Sequence, residues 1–280
     1  MPHTPPALPR VRTIGLMQPL VWLGLAWRDM QQVGWLSAAH GLVLAVLGAG
    51  IVAVAYNRFW LLAGALSGFL VVAPVLATSL YALSRALQRG EKADASVVLK
   101  TWLNWQDSNI NKWGNEYWRM VQFGALLALA ATGWVATSAA LITLLAPVPI
   151  HTPLDFVHHV VLAPEGHLFE LWLALGGVLA APMFASSVVA MPLLLDRRVT
   201  LMQAVLTSWQ AVLTNPLPMA LWACLIMVFV LLGLGSLMLG LVAVVPMLGH
   251  ASWHAYRDLV EEADVPQRAS TAAPEGRGER

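Results

Sequence analysis

Residues 217–256 read LPMALWACLIMVFVLLGLGSLMLGLVAVVPMLGHASWHAY: forty positions without one Asp, Glu, Lys or Arg. A helix needs about 20 apolar residues to cross a bilayer, so this stretch is long enough to cross twice. Its middle, Gly233-Leu-Gly235-Ser236, carries the turn chemistry of a hairpin. Two spans are therefore expected, at about 218–232 and 237–254.

Working outward, four more charge-free runs lie upstream: Gln31 to Asn57, Phe59 to Ser84, Met120 to Leu154 and Leu171 to Leu195. They predict spans at about 35–55, 60–83, 120–146 and 169–195, the third stopped by Pro147 and Pro149. Composition agrees. Of 280 residues, 58% are hydrophobic and only 11% charged, with a mean hydropathy of +0.67. A soluble domain carries about 25% charge. Only helices or closed barrels cross a bilayer, and long apolar runs without alternation select helices. The fold expected is an all-α bundle of six transmembrane helices, built as three hairpins with interfacial amphipathic helices.

The basic residues give the orientation. With the N-terminus inside, inner segments hold 15 of the 16 Lys and Arg, and only Arg58 is outside. This predicts a cytoplasmic segment at 1–34, a membrane domain at 35–256 and a cytoplasmic tail at 257–280. The tail after Asp264 is rich in Pro, Gly, Ala, Ser and charge, which predicts disorder. Trp35, Trp60, Trp118, Trp172, Trp222 and Trp253 fall near expected helix ends, as an aromatic belt would. The partner expected is the lipid bilayer. Net charge is +1, which supplies no field for nucleic acid. The single cysteine, Cys224, excludes an intramolecular disulfide and any paired-cysteine motif.

A local pattern recurs in the even-numbered spans: Ala73-Pro74-Val-Leu-Ala77-Thr78-Ser79, Ala181-Pro182-Met-Phe-Ala185-Ser186-Ser187 and Val245-Pro246-Met-Leu-Gly249-His250-Ala251. Each proline removes a backbone donor and frees the carbonyl one turn back, so Pro74, Pro182 and Pro246 are expected to kink helices in their inner halves. Amphipathic segments at about 16–30, 94–105 and 201–214 suggest one unit, an interfacial helix and a hairpin, used three times. The last segment opens with the capping box Thr200-x-x-Gln203. Around a pseudo-threefold axis, Thr78, Ser186 and His250 could face a cavity for a lipid or small molecule. The same small residues also simply permit close helix packing.

Histidines are the other chemical signal. His250 and His254 share one helix face, a spacing suited to a metal or haem, or to imidazoles bonded to neighbouring helices. The outer loop holds His151, Asp155, His158, His159 and His167 together with Glu165 and Glu170. On one helical turn His151, Asp155 and one of the two adjacent histidines could ligate a divalent metal, with His167 adding a further ligand. No acid lies deep in a span, which disfavours ion-coupled carriers. No Walker motif, GxSxG or HExxH is present.

Trp27-Arg28-Asp29 before the first span, Leu66-Ser67-Gly68-Phe69 leading to Pro74, and Pro246-Met-Leu-Gly-His250-Ala-Ser-Trp253-His254-Ala-Tyr256-Arg257-Asp258-Leu259 resemble a bacterial family. It is the family of integral membrane proteins catalogued as domain of unknown function 2189, and the likeness runs from about Gly15 to Val260. Some members are labelled cytochrome c oxidase subunits. This chain has neither the length nor the histidine pattern of a haem–copper catalytic subunit. The resemblance implies a bacterial inner-membrane protein and carries no active-site residues.

Three functional readings follow. The first is a non-enzymatic accessory or scaffold with a lipid or small-molecule cavity. The second is a metal- or haem-handling accessory of respiratory-complex assembly. The third is a channel or uncoupled carrier. No membrane-protein partner is named by the residues.

Overall fold

A computed structural model describes residues 8–55, 59–103, 118–163 and 167–261. Among them the chain is helical, with one isolated antiparallel bridge between Val11 and Val260. The helices are α1 (Gln18–Val33), α2 (Trp35–Ala55), α3 (Phe59–Leu76), α4 (Thr78–Gln88), α5 (Ala95–Leu103), α6 (Trp118–Leu145), α7 (Pro153–Phe156), α8 (Leu168–Ser187), α9 (Ala190–Asp196), α10 (Leu201–Thr214), α11 (Pro216–Gly235) and α12 (Leu241–Leu259). A π-helical turn, Val157–Val161, follows α7. The expected tail beyond residue 261 lies outside the described residues.

Four segments are long and apolar enough to cross a membrane: Trp35–Ala55, Arg119–Leu145, Leu168–Asp196 and Pro216–Gly235. The expected spans at 60–83 and 237–254 correspond to α3 with part of α4, and to a hairpin turn followed by α12. The apolar run at 60–83 does not form one helix. It breaks at Ala77, three residues after Pro74, and restarts as α4, in which Thr78 to Ala86 are all buried. The fourth run breaks likewise at Val188–Val189, six residues after Pro182, and restarts as the fully buried α9. Pro246 lies within an unbroken α12. The last hairpin also sits further along than the glycines suggest. α11 runs through Gly235, and the turn falls at 236–240. There Ser236 Oγ accepts the Gly240 N–H at 2.7 Å and donates to the Gly233 carbonyl at 2.9 Å, satisfying groups that a helix end leaves open.

α1, α5 and α10 each precede a long helix, as the amphipathic segments suggest. α4, α9 and α12 pack against one another in pairs. Each interfacial helix lies on one of these three: α5 on α4, α10 on α9, α1 on α12. The chain ends close the ring. Arg12 N–H donates to the Leu259 carbonyl at 2.8 Å and Glu261 N–H to the Arg10 carbonyl at 2.9 Å. Asn215, at the junction of α10 and α11, accepts from Ile14 N–H and donates to the Arg12 carbonyl, pinning the strap. Thr200 and Gln203 form the expected capping box at the start of α10.

Close packing is set by glycine where backbones meet. A Cβ on Gly41 of α2 would lie 2.3 Å from the Val242 carbonyl oxygen of α12. Gly34, with φ +67°, makes the bend between α1 and α2 that a side chain would strain. Trp35 is 75% exposed, whereas Trp222 and Trp253, expected in an aromatic belt, are buried in the core. Trp222 packs edge-on against Trp22 of α1 at 5.6 Å between ring centres, and the Trp253 indole N–H reaches Gln88 at 3.1 Å. The indole pair adds stacking energy to burial, which an interfacial position could not supply.

Candidate ligand groove and buried polar cluster

Two regions carry chemistry: a polar cluster where α1, α2, α4 and α12 meet and an apolar groove along α8.

The polar cluster sits where α1, α2, α4 and α12 meet. Asp29 of α1 accepts from Ser84 Oγ and, at 2.9 Å, from His254 Nε2. An ionised carboxylate only accepts, so the Ser84 proton points to Asp29 and the Ser84 oxygen must receive from His250 Nδ1, 2.7 Å away. His250 then carries its proton on Nδ1, and Nε2 accepts from Ser37 Oγ at 2.9 Å. The chain of bonds thus has a single direction, Ser37 to His250 to Ser84 to Asp29. Beside it, His40 Nδ1 donates to the Leu36 carbonyl at 2.7 Å, which leaves Nε2 to accept from Ser79 at 2.8 Å. One turn further along α12, Asp258 accepts from the Trp22 indole and from Gln18. These bonds hold α1 along α12. They also explain why α1 can bury an acid at the membrane edge: each buried polar atom has a partner.

A second ionic knot lies on the α4–α9–α12 contact. Asp196, 2% exposed, meets Arg89 at 3.2 Å, Arg197 at 3.0 Å and the Tyr256 hydroxyl at 2.9 Å. Arg85 donates to the Leu195 carbonyl at 3.0 Å.

The residues expected to share one cavity stand in different surroundings. His250 is bonded within the cluster above. Ser186 accepts the Trp209 indole of α10 at 2.9 Å, and Thr78 is buried at the start of α4. Pro246 is buried and Pro182 is exposed, while the Pro74 side chain lies outside the described residues. Sequence spacing placed equivalent positions on equivalent helices. The partners come from α10 in one copy and from α2 and α4 in another, which no local spacing encodes.

The outer loop does not gather the expected metal ligands either. Among the described residues no three His, Cys, Asp or Glu stand close enough to hold a metal ion. Asp155 is spent on the backbone. Its carboxylate accepts Thr152 N–H at 2.9 Å and His151 N–H at 3.1 Å, closing a capping box at α7. Those two N–H groups hold its pKa below the ordinary carboxylate value. His158 and His159 lie exposed in the π turn and His151 and His167 are exposed at its two flanks. Glu165 lies outside the described residues.

The groove was missed by sequence reading. It runs along α8, walled by α6 and touched by Met227 of α11, with a volume of about 490 Å³. Gly176, Gly177 and Ala180 floor it, Trp134 and Trp172 close its outer end, and Ser187 is its one hydroxyl. The Ser187 proton goes to the Met183 carbonyl at 2.8 Å, so the wall is apolar throughout. The signal that could have found it is the Gly176-Gly177 pair, which removes side chains from a lipid-facing helix surface.

No curated protein and no solved structure matches the chain. The family match leaves out both flanking motifs, Trp27-Arg28-Asp29 and residues 246–259. Residues 61–196, from the first turn of α3 to the end of α9, match the model of the family described as predicted integral membrane protein (DUF2189), and with its long apolar helices the chain is an integral membrane protein.

Proposed function

We propose that the chain is a non-enzymatic, six-span protein of the bacterial inner membrane, with both ends cytoplasmic, that houses the hydrocarbon chain of a membrane lipid beside α8. In this arrangement α3 and α12 are the second and sixth crossings, completing three hairpins with α2, α6, α8 and α11. The 15-to-1 distribution of basic residues supports the orientation. The observation that carries the function is the groove: about 490 Å³, inside the usual range for ligand sites, with an apolar wall. A scaffold role fits the polar groups as well, since the imidazoles and carboxylates of the inner cluster are bonded to one another and hold helices together.

The test is native mass spectrometry of protein extracted in mild detergent. A Cβ on Gly177 meets nothing within 4 Å and Gly177 lines the groove, so Gly177→Leu puts a side chain into it. Wild-type protein is expected to retain a lipid that Gly177→Leu loses. Equal lipid retention by both would overturn the reading.

A further inference from the structure

The outer end of the groove is chemically unlike its length. Where α3, α6 and α8 approach, a second cavity of about 240 Å³ opens, walled by Phe59, Trp60, Phe156, Trp134 and Trp172. It meets the first cavity at Trp134 and Trp172. The rings are already set against each other: Phe59 stacks on Phe156 at 5.5 Å, and Phe156 meets Trp172 at 5.3 Å.

One polar side chain reaches this cavity. Ser138 of α6 is 8% exposed, and its Oγ accepts the Trp172 indole N–H at 2.6 Å. A hydroxyl offers one proton and two lone pairs. The indole occupies one lone pair, and among the described residues the proton has no acceptor. A buried donor left unused is costly, so the site is built to give one hydrogen bond to whatever fills it. Among the described residues no charged side chain lines either cavity, which selects a neutral acceptor. The flat walls favour a planar ring, because aromatic faces and edges pair best with another π-system.

Resting on the reading of the groove as a lipid site, we infer that the two cavities together bind a neutral, carbonyl-bearing ring on a hydrocarbon tail, the chemistry of an isoprenoid quinone. The ring lies among Phe59, Trp60, Phe156 and Trp172, and its carbonyl oxygen accepts from Ser138 Oγ. The tail follows α8 past Gly176, Gly177 and Ala180. From Trp172 to Ser187 the helix rises about 22 Å, at about 1.5 Å per residue, which is room for a long chain. A phospholipid also has carbonyls and tails, but among the described lining residues its phosphate would find no cation.

The experiment uses the full chain in nanodiscs and a decyl-tailed dimethoxybenzoquinone as probe. Saturable binding is expected, weakened about tenfold by Ser138→Ala and kept by Ser138→Thr. Infrared difference spectra should show one quinone carbonyl stretch lowered in wild type and Ser138→Thr, and returned to its free position in Ser138→Ala. That shift reports the hydrogen bond itself, which a loss of packing would not imitate. Absence of saturable binding, or the same carbonyl frequency in wild type and Ser138→Ala, overturns the inference. If the quinone fails while a co-purifying phospholipid is still lost in Gly177→Leu, the ring assignment falls and the lipid groove stands. If Gly177→Leu changes nothing either, both fall.

Discussion

Gly41 is where α2 and α12 touch backbone to backbone, and replacing it with alanine tests the packing directly. The added Cβ would sit 2.3 Å from the Val242 oxygen, 2.6 Å from its Cα and 2.7 Å from its carbonyl carbon. Ordinary contact begins at 3.4 Å, so the helices must part by about 1 Å. None of the three atoms belongs to a side chain that can swing aside. Overpacking of this kind costs roughly 1–3 kcal/mol. The same separation stretches the Ser37–His250 bond, now 2.9 Å, beyond hydrogen-bonding range, at about 1 kcal/mol. Against this, alanine is better than glycine in a helix by about 1 kcal/mol. The net expectation is a loss of about 1–3 kcal/mol. Gly50, on the same helix, has nothing within 4 Å of its added Cβ, so Gly50→Ala should gain up to about 1 kcal/mol. Gly48 is intermediate, because its new Cβ would meet the flexible Met238 sulfur at 3.3 Å. Reversible unfolding in mixed micelles gives the three values. If Gly41→Ala is as stable as Gly50→Ala, the close approach of α2 to α12 is wrong.

Three further outcomes are expected. In a Cys224→Ser background, a cysteine at His159 should react with an impermeant thiol reagent from outside intact cells and one at Thr13 should not; the reverse pattern would invert the topology. Asp196→Asn removes the carboxylate that Arg89, Arg197 and Tyr256 share, and should cost about 3–5 kcal/mol in the same unfolding assay, because buried cations lose their counter-charge. The Asp155 cap has a depressed folded pKa, so its stabilisation is present above the unfolded value and is lost as pH falls through the folded one. The protection of amides 151–161, relative to their intrinsic exchange rates, should therefore be constant near neutral pH and fall in acid, with Asp155→Ala already unprotected at neutral pH.

The sequence by itself determined that the chain is helical and membrane-embedded, placed α2, α6 and α11 within three or four residues at each end, and located the interfacial helices and the Thr200–Gln203 cap. Those features are local. Hydropathy registers the transfer of each residue into lipid, and a capping box closes within three residues. Tertiary structure decided what happens at Ala77 and Val188, where apolar runs of unbroken hydropathy bend into buried segments, because a break in the middle of a greasy stretch leaves no trace in its transfer energy. It also decided the fate of the polar residues. His250 could be read on α12 as half of a metal pair or as an imidazole bonded to neighbouring helices; the fold gives the second, with partners Ser37 and Ser84, 213 and 166 residues away, and through Ser84 the acid Asp29. The groove along α8 and the hydroxyl of Ser138 inside its aromatic end arise only where α3, α6 and α8 meet. Glycine and serine are among the least informative letters in a membrane helix, and their meaning here comes from the neighbour that each one faces.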